Sequence, residues 1–164
     1  IVLVGFMGTG KSSVTRVLSI LTGWPHVSTD DLIVQAEGRS INDIFRDDGE
    51  AYFRDVERRI VLDVSRRQSV IIDCGGGAVL DSRNIEALRK NGVLVYLQTS
   101  PAEVFRRLKT QTDRPLLKTP DPQAKINELL GSRSPLYAQA DHAVMTDGKT
   151  PEQVGQEILQ LLRS

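Results

Sequence analysis

Cysteine is nearly absent from this chain: Cys74 is the only one, so no internal disulfide can form, and the expected setting is a reducing cytoplasm. Net charge is also absent. Lys and Arg number 21 and so do Asp and Glu, leaving no global field to draw in nucleic acid or an anionic membrane; neither partner is expected. No apolar run approaches a membrane span, and nothing resembles a signal peptide. An initiator methionine is missing too. The chain opens inside an apparent strand, so the expectation is that it derives from a longer one. What is present is ordinary for one globular domain over 1–164: 40% hydrophobic and 26% charged residues. No surplus apolar helix face demands a partner, so a monomer is expected.

Apolar runs alternate with amphipathic stretches, which predicts an α/β fold with a parallel sheet covered on both faces. Strands are expected at 1–4, 26–28, 70–73, 93–98 and 143–146. Helices are expected at 11–21, 31–37, 82–90, 101–108, 123–130 and 151–163. Between the second helix and the third strand, Ser40 is a plausible N-cap, and the later part of "SINDIFRDDGEAYFRDVERRIVLDVSRR" reads as one amphipathic helix. The segment 109–122 carries three prolines and no period, as a lid over a site or a mobile loop would.

The segment "GFMGTGKS" matches G-x-x-x-x-G-K-[ST] through Gly5, Gly10, Lys11 and Ser12, and it lies between a predicted strand and a predicted helix. Glycines let the backbone curl until several N–H groups face inward at a helix N-terminus, where they cradle phosphate. Lys11 reaches the terminal phosphates and the Ser12 hydroxyl can ligate Mg2+. A nucleoside triphosphate is therefore expected, and a chain this short points to a small-molecule kinase.

Other residues suggest where the phosphoryl group goes. In "HVSTDD", Asp30 stands where parallel strands end in a binding crevice and is a candidate to accept the acceptor's hydroxyl proton, while Asp31 suits a helix N-cap. Arg54 and Glu57, three apart on a helix, read either as a surface ion pair or as an oriented carboxylate clamp. "CGGGAV" ends a buried-type strand in Gly75, Gly76 and Gly77, which implies close approach to a ligand or a structural turn. Arg114 in "DRPLL" and Arg133 in "GSRSPLY" are further cations, though single arginines are most often solvated. Cys74 beside this site reads as a buried structural residue or as a modifiable thiol.

Taken in order, "GFMGTGKSS", "STDDLI", "GRSINDIFRDDGEAYFRDVE", "GGGAV", "RPLL" and "RSPLY" resemble the shikimate kinases over essentially the whole chain. The resemblance implies a three-layer P-loop kinase fold with a five-stranded parallel sheet of order 2-3-1-4-5. It implies transfer of the ATP γ-phosphate to the 3-hydroxyl of shikimate with Mg2+, in aromatic amino acid biosynthesis. It also implies roles for particular residues. Gly8, Thr9, Gly10, Lys11, Ser12 and Ser13 would hold the nucleotide phosphates, Arg107 would stack on adenine, and Arg114 would reach phosphate and shikimate from a lid at about 109–122. Asp30 would contact the shikimate hydroxyls as base, Arg54 and Arg133 would hold the carboxylate with Glu57 in support, and Gly75, Gly76 and Gly77 would lie at the substrate. Phe45 and Phe53 would wall the ring within a substrate-binding helical region at about 30–60.

Two positions depart from that pattern. Ser28 stands where these kinases commonly carry an aspartate that acts on magnesium through water, and Asp73 stands where small residues are more usual. Asp73 is either a compensating carboxylate for Mg2+ or a hydrogen-bond partner of the phosphate-loop backbone. A gluconate-type kinase and a non-catalytic relative that binds nucleotide or shikimate are the alternatives; acceptor choice separates the first, turnover the second.

Overall fold

The computed structural model describes residues 1–110 and 118–164. Arg114 and the middle of the expected lid lie outside the described residues. Five parallel strands form one sheet: β1 (Val2–Val4), β2 (His26–Ser28), β3 (Ile71–Asp73), β4 (Leu94–Gln98) and β5 (His142–Met145), in the order β2-β3-β1-β4-β5. The central strands are buried on both faces, which is why they read as unbroken apolar runs. Alternate side chains go to opposite layers. Val2, Val4, Ile72, Leu94 and Tyr96 join one core cluster; Leu3, Ile71, Val95, Leu97 and Val144 join the other.

Helices α1 (Lys11–Thr22) and α8 (Pro151–Leu161) cover the second face, with Val14, Leu18, Val154 and Ile158 buried against it. The first face is covered by α4 (Gly49–Val64), α5 (Ser82–Arg89), α6 (Pro101–Leu108) and α7 (Pro122–Tyr137). Helices α2 (Thr29–Glu37) and α3 (Ile41–Asp47) pack on α4 through a smaller core of Ile33, Ile44, Phe53 and Val56. That small core anchors the face of α4 that carries Arg54.

Ser40 caps α3 by accepting from the Asp43 N–H at 3.1 Å, as expected. The cap of α2 is Ser28, whose hydroxyl accepts from Asp31 N at 3.2 Å; Asp31, the expected cap, sits instead in the first turn. Helix α7 continues seven residues beyond its expected end at Leu130, through Gly131 and Pro135 to Tyr137. Burial of Leu130 and Tyr137 outweighs the local propensities, and the Ser134 hydroxyl donates to the Leu130 carbonyl at 2.6 Å inside the interrupted ladder. No helix among the described residues is long and apolar enough to cross a membrane.

Candidate active site

The phosphate loop joins β1 to α1 at the C-terminal edge of the sheet. Gly8 and Gly10 have φ of 78° and 90°, backbone that L side chains rarely adopt, and this turns the loop back onto the start of α1. The buried Thr9 hydroxyl donates to the Phe6 carbonyl at 2.9 Å and closes the loop from inside. Lys11 Nζ donates to the Gly5 and Phe6 carbonyls at 2.9 and 3.0 Å, so the ammonium lies along the loop. Ser12 and Ser13 occupy the first turn of α1, where backbone N–H groups lack intrahelical partners.

A cavity of about 420 Å3 opens beside this loop. Lys11 and Ser12 line it together with Ser28, Asp30, Asp73, Gly75 and Gly76, so side chains distant in sequence share one space. Ser12 donates to Asp73 Oδ2 at 2.7 Å. The bond goes to a loop side chain, not to the loop backbone as one expectation had it. Burial raises the Asp73 pKa, offset in part by the Lys11 ammonium and the Ser12 hydroxyl. Ser28 and Asp73 are register partners in the β2–β3 ladder, so the carboxylate stands one strand across from the hydroxyl.

The glycine triplet follows β3, and its smallness serves the protein's own side chains. A Cβ at Gly75 would collide with Asp30 Oδ1, and a Cβ at Gly77 would lie 2.5 Å from Arg54 Nη2. Gly75 N–H donates to Thr29 Oγ1 at 2.9 Å, which ties the triplet to the first turn of α2 and so to Asp30. Tyr137 donates its hydroxyl to the Gly76 carbonyl, fixing the end of α7 to the same backbone.

Arg54 Nη1 donates to Glu57 Oε1 at 2.8 Å, and this is no surface pair: Glu57 is 1% exposed. Desolvation raises the Glu57 pKa above the ordinary carboxylate range, while Arg54 pulls it partly back. The guanidinium carbon of Arg54 lies 5.1 Å from the centre of the Phe53 ring, which in turn packs against Phe45 at 4.7 Å between centroids. Arg133 lies over Phe6, 5.8 Å from that ring's centre, and its charge acts on the Tyr137 hydroxyl.

Arg107 belongs to a second cavity of about 490 Å3, lined also by Thr9, Thr146 and Pro151. Its guanidinium donates to Glu103 Oε1 at 2.7 Å, to the Gly8 and Thr9 carbonyls at 3.3 and 3.2 Å, and to Thr146. Hydrogen bonds from Arg106 and Arg107 hold the Glu103 pKa down at about 2. The arrangement holds a flat cation against the phosphate loop.

The shikimate kinase family model matches residues 7–163. The chain belongs to the shikimate kinase family. It is 42% identical over 160 residues to the shikimate kinase of Thermodesulfovibrio yellowstonii, covering 98% of this chain and 92% of that protein. Its structure is similar to that of a shikimate kinase from Acinetobacter baumannii in complex with shikimate, with a TM-score of 0.93 and 34% identity over 99% of this chain and 91% of that one. A gluconokinase from Sinorhizobium meliloti has a TM-score of 0.64 at 20% identity over 99% and 90% of the two chains, a likeness of fold alone. Members of the shikimate kinase family use ATP as co-substrate.

Two residues of this site, Tyr137 and Thr29, carry no signature in the sequence. Tyr137 closes the segment "RSPLY", and Thr29 lies between Ser28 and Asp30. Each acts on the glycine triplet through one hydrogen bond, and a lone hydroxyl leaves no spacing signature. Cys74 is fully buried and burial pushes its thiol pKa well up, so the structural reading holds over the reactive one.

Proposed function

We propose that this chain transfers the γ-phosphoryl group of ATP to the 3-hydroxyl of shikimate, giving shikimate 3-phosphate and ADP on the route to aromatic amino acids. The observation that carries the reading is the glycine floor, with Asp30 against Gly75 beside the phosphate loop and Arg54 against Gly77 beyond it. A ring bearing a carboxylate at one end and hydroxyls at the other matches that polarity.

Arg54, aimed by Glu57, takes the substrate carboxylate, Arg133 adds a second cation, and Phe53 and Phe45 form the apolar wall. Asp30 accepts the proton of the 3-hydroxyl as that oxygen bonds to the γ-phosphorus; the bond from phosphorus to the bridging oxygen breaks, and ADP leaves. Lys11 and the loop N–H groups between Gly8 and Ser13 take up the charge on the phosphates, and the resemblance adds Arg114 to them. Arg107 stacks on the base.

The residues present fit a magnesium ion. Ser12 gives its proton to Asp73 and so keeps oxygen lone pairs for a metal, while Asp73 steadies it from behind. Among the described residues no group of three or more His, Cys, Asp or Glu side chains forms a cage, and magnesium held by one or two protein oxygens plus phosphates needs none. When bound, the ion neutralises charge on the transferring phosphoryl group. In this reading Asp73 stands in for a carboxylate at Ser28. In this reading the protein works as a monomer.

The test is product analysis. Incubation with ATP, magnesium and shikimate yields a new phosphate monoester on the shikimate ring by phosphorus NMR, and Asp30→Asn suppresses it by at least a hundredfold. A phosphorylated gluconate and untouched shikimate would overturn the assignment.

A further inference from the structure

Thr15 lies on the buried side of α1, one turn beyond Lys11, with 1% of its surface exposed. A threonine inside a helix commonly gives its proton to the carbonyl four residues earlier. Thr22 of the same helix does so, donating to the Leu18 carbonyl at 2.7 Å. Thr15 does not: its hydroxyl is one of two buried side-chain polar atoms among the described residues that have no hydrogen-bond partner. A buried hydroxyl without a partner is unfavourable, and one explanation is a water or ion that completes it.

The surroundings supply the rest of such a site. Thr15 lines the 420 Å3 cavity together with Ser12, Ser28 and Asp73. Asp73 accepts one hydrogen bond from Ser12 at 2.7 Å, and a carboxylate has further lone pairs to offer. Ser28 uses an oxygen lone pair on the Asp31 N–H and keeps its own proton to donate. Helix α1, the end of β2 and the end of β3 thus bring a donor-acceptor set to one place, polar and roomy enough for ordered water with two to four partners.

We propose that Thr15 is a positioning residue for the metal: its hydroxyl, with Asp73 and Ser28, holds a water of the magnesium hydration shell behind Ser12. The inference rests on reading the cavity as a magnesium-nucleotide site. A water fixed in advance couples the ion to the protein without a direct bond, so the hydroxyl matters when magnesium accompanies the nucleotide and is idle when the nucleotide binds alone.

The experiment is calorimetric titration of the full chain with ADP, with and without magnesium, for the unaltered protein, Thr15→Val, Thr15→Ser and Thr22→Val. Thr15→Val removes a hydroxyl that has no protein partner and keeps the shape, so its melting temperature is unchanged or higher. The expected result is that Thr15→Val cuts the magnesium enhancement of ADP affinity about tenfold and leaves metal-free affinity alone. Thr15→Ser and Thr22→Val keep the enhancement. Full enhancement in a folded Thr15→Val, or its loss in a folded Thr15→Ser, overturns the inference and leaves the site reading intact. No magnesium effect in the unaltered protein overturns the site reading, and this inference with it.

Discussion

Gly77 and Arg54 are packed so closely that a methyl group on the glycine would stand 2.5 Å from one guanidinium nitrogen and 2.6 Å from the other. Gly77 itself has φ of −98°, open to any residue, so backbone strain is not what excludes a side chain there. Gly77→Ala therefore moves Arg54 and little else. The expected outcome is a shikimate KM raised about tenfold, an ATP KM unchanged and a melting temperature within about 2 °C of the parent, read by steady-state kinetics and thermal unfolding.

The buried Glu57 gives the clamp a pH dependence. Its folded pKa lies above the ordinary value, mainly through desolvation, so the folded chain takes up this proton at a higher pH than the unfolded chain does. By linkage, the group's contribution to stability increases as pH falls through that window, while Arg54 loses the buried one of its two carboxylate partners. Shikimate KM should rise on acidification, starting above the range in which exposed glutamates titrate. Glu57→Gln should start with a raised KM and lose that acid limb. A KM profile identical in the two proteins would show that Glu57 does not orient Arg54.

Ser28 and Asp73, partners across the β2–β3 ladder, make opposite predictions for magnesium. Asp73→Asn keeps the shape yet cannot hold the Ser12 proton as strongly, and it should raise the magnesium concentration needed for half-maximal activity tenfold or more. Ser28→Asp in that background should restore part of the loss. If Asp73→Asn leaves the magnesium dependence unchanged and Ser28→Asp alone tightens it, the substitution of one carboxylate for the other is wrong.

Tyr137 ties α7 to the glycine triplet through a hydroxyl that burial keeps protonated, with a pKa pushed up to about 12. Tyr137→Phe leaves the Gly76 carbonyl short of a donor and should cost about 1–2 kcal/mol in urea unfolding. An unchanged unfolding midpoint would mean that packing alone holds the helix end.

The sequence revealed the phosphate loop because its chemistry needs fixed residues at fixed spacing, and it revealed the strands because a doubly covered parallel sheet writes continuous apolar runs. Arg54 and Glu57 were visible as a pair three residues apart, but whether they faced water or the crevice depended on how α2 and α3 pack against α4. The glycine triplet pointed to a close approach; what approaches is Asp30 at one end and Arg54 at the other, which only the fold brings near. The sequence places the end of α7 too early because Gly131 and Pro135 argue locally for a stop, and the burial of Tyr137 that outweighs them is a tertiary fact.

The most direct test of the account is ADP production from ATP and magnesium with shikimate, with gluconate and with no acceptor, alongside Lys11→Ala and Asp30→Asn. The account predicts turnover with shikimate alone, lost in both variants. Equal turnover with gluconate, or shikimate binding without any turnover, would contradict it.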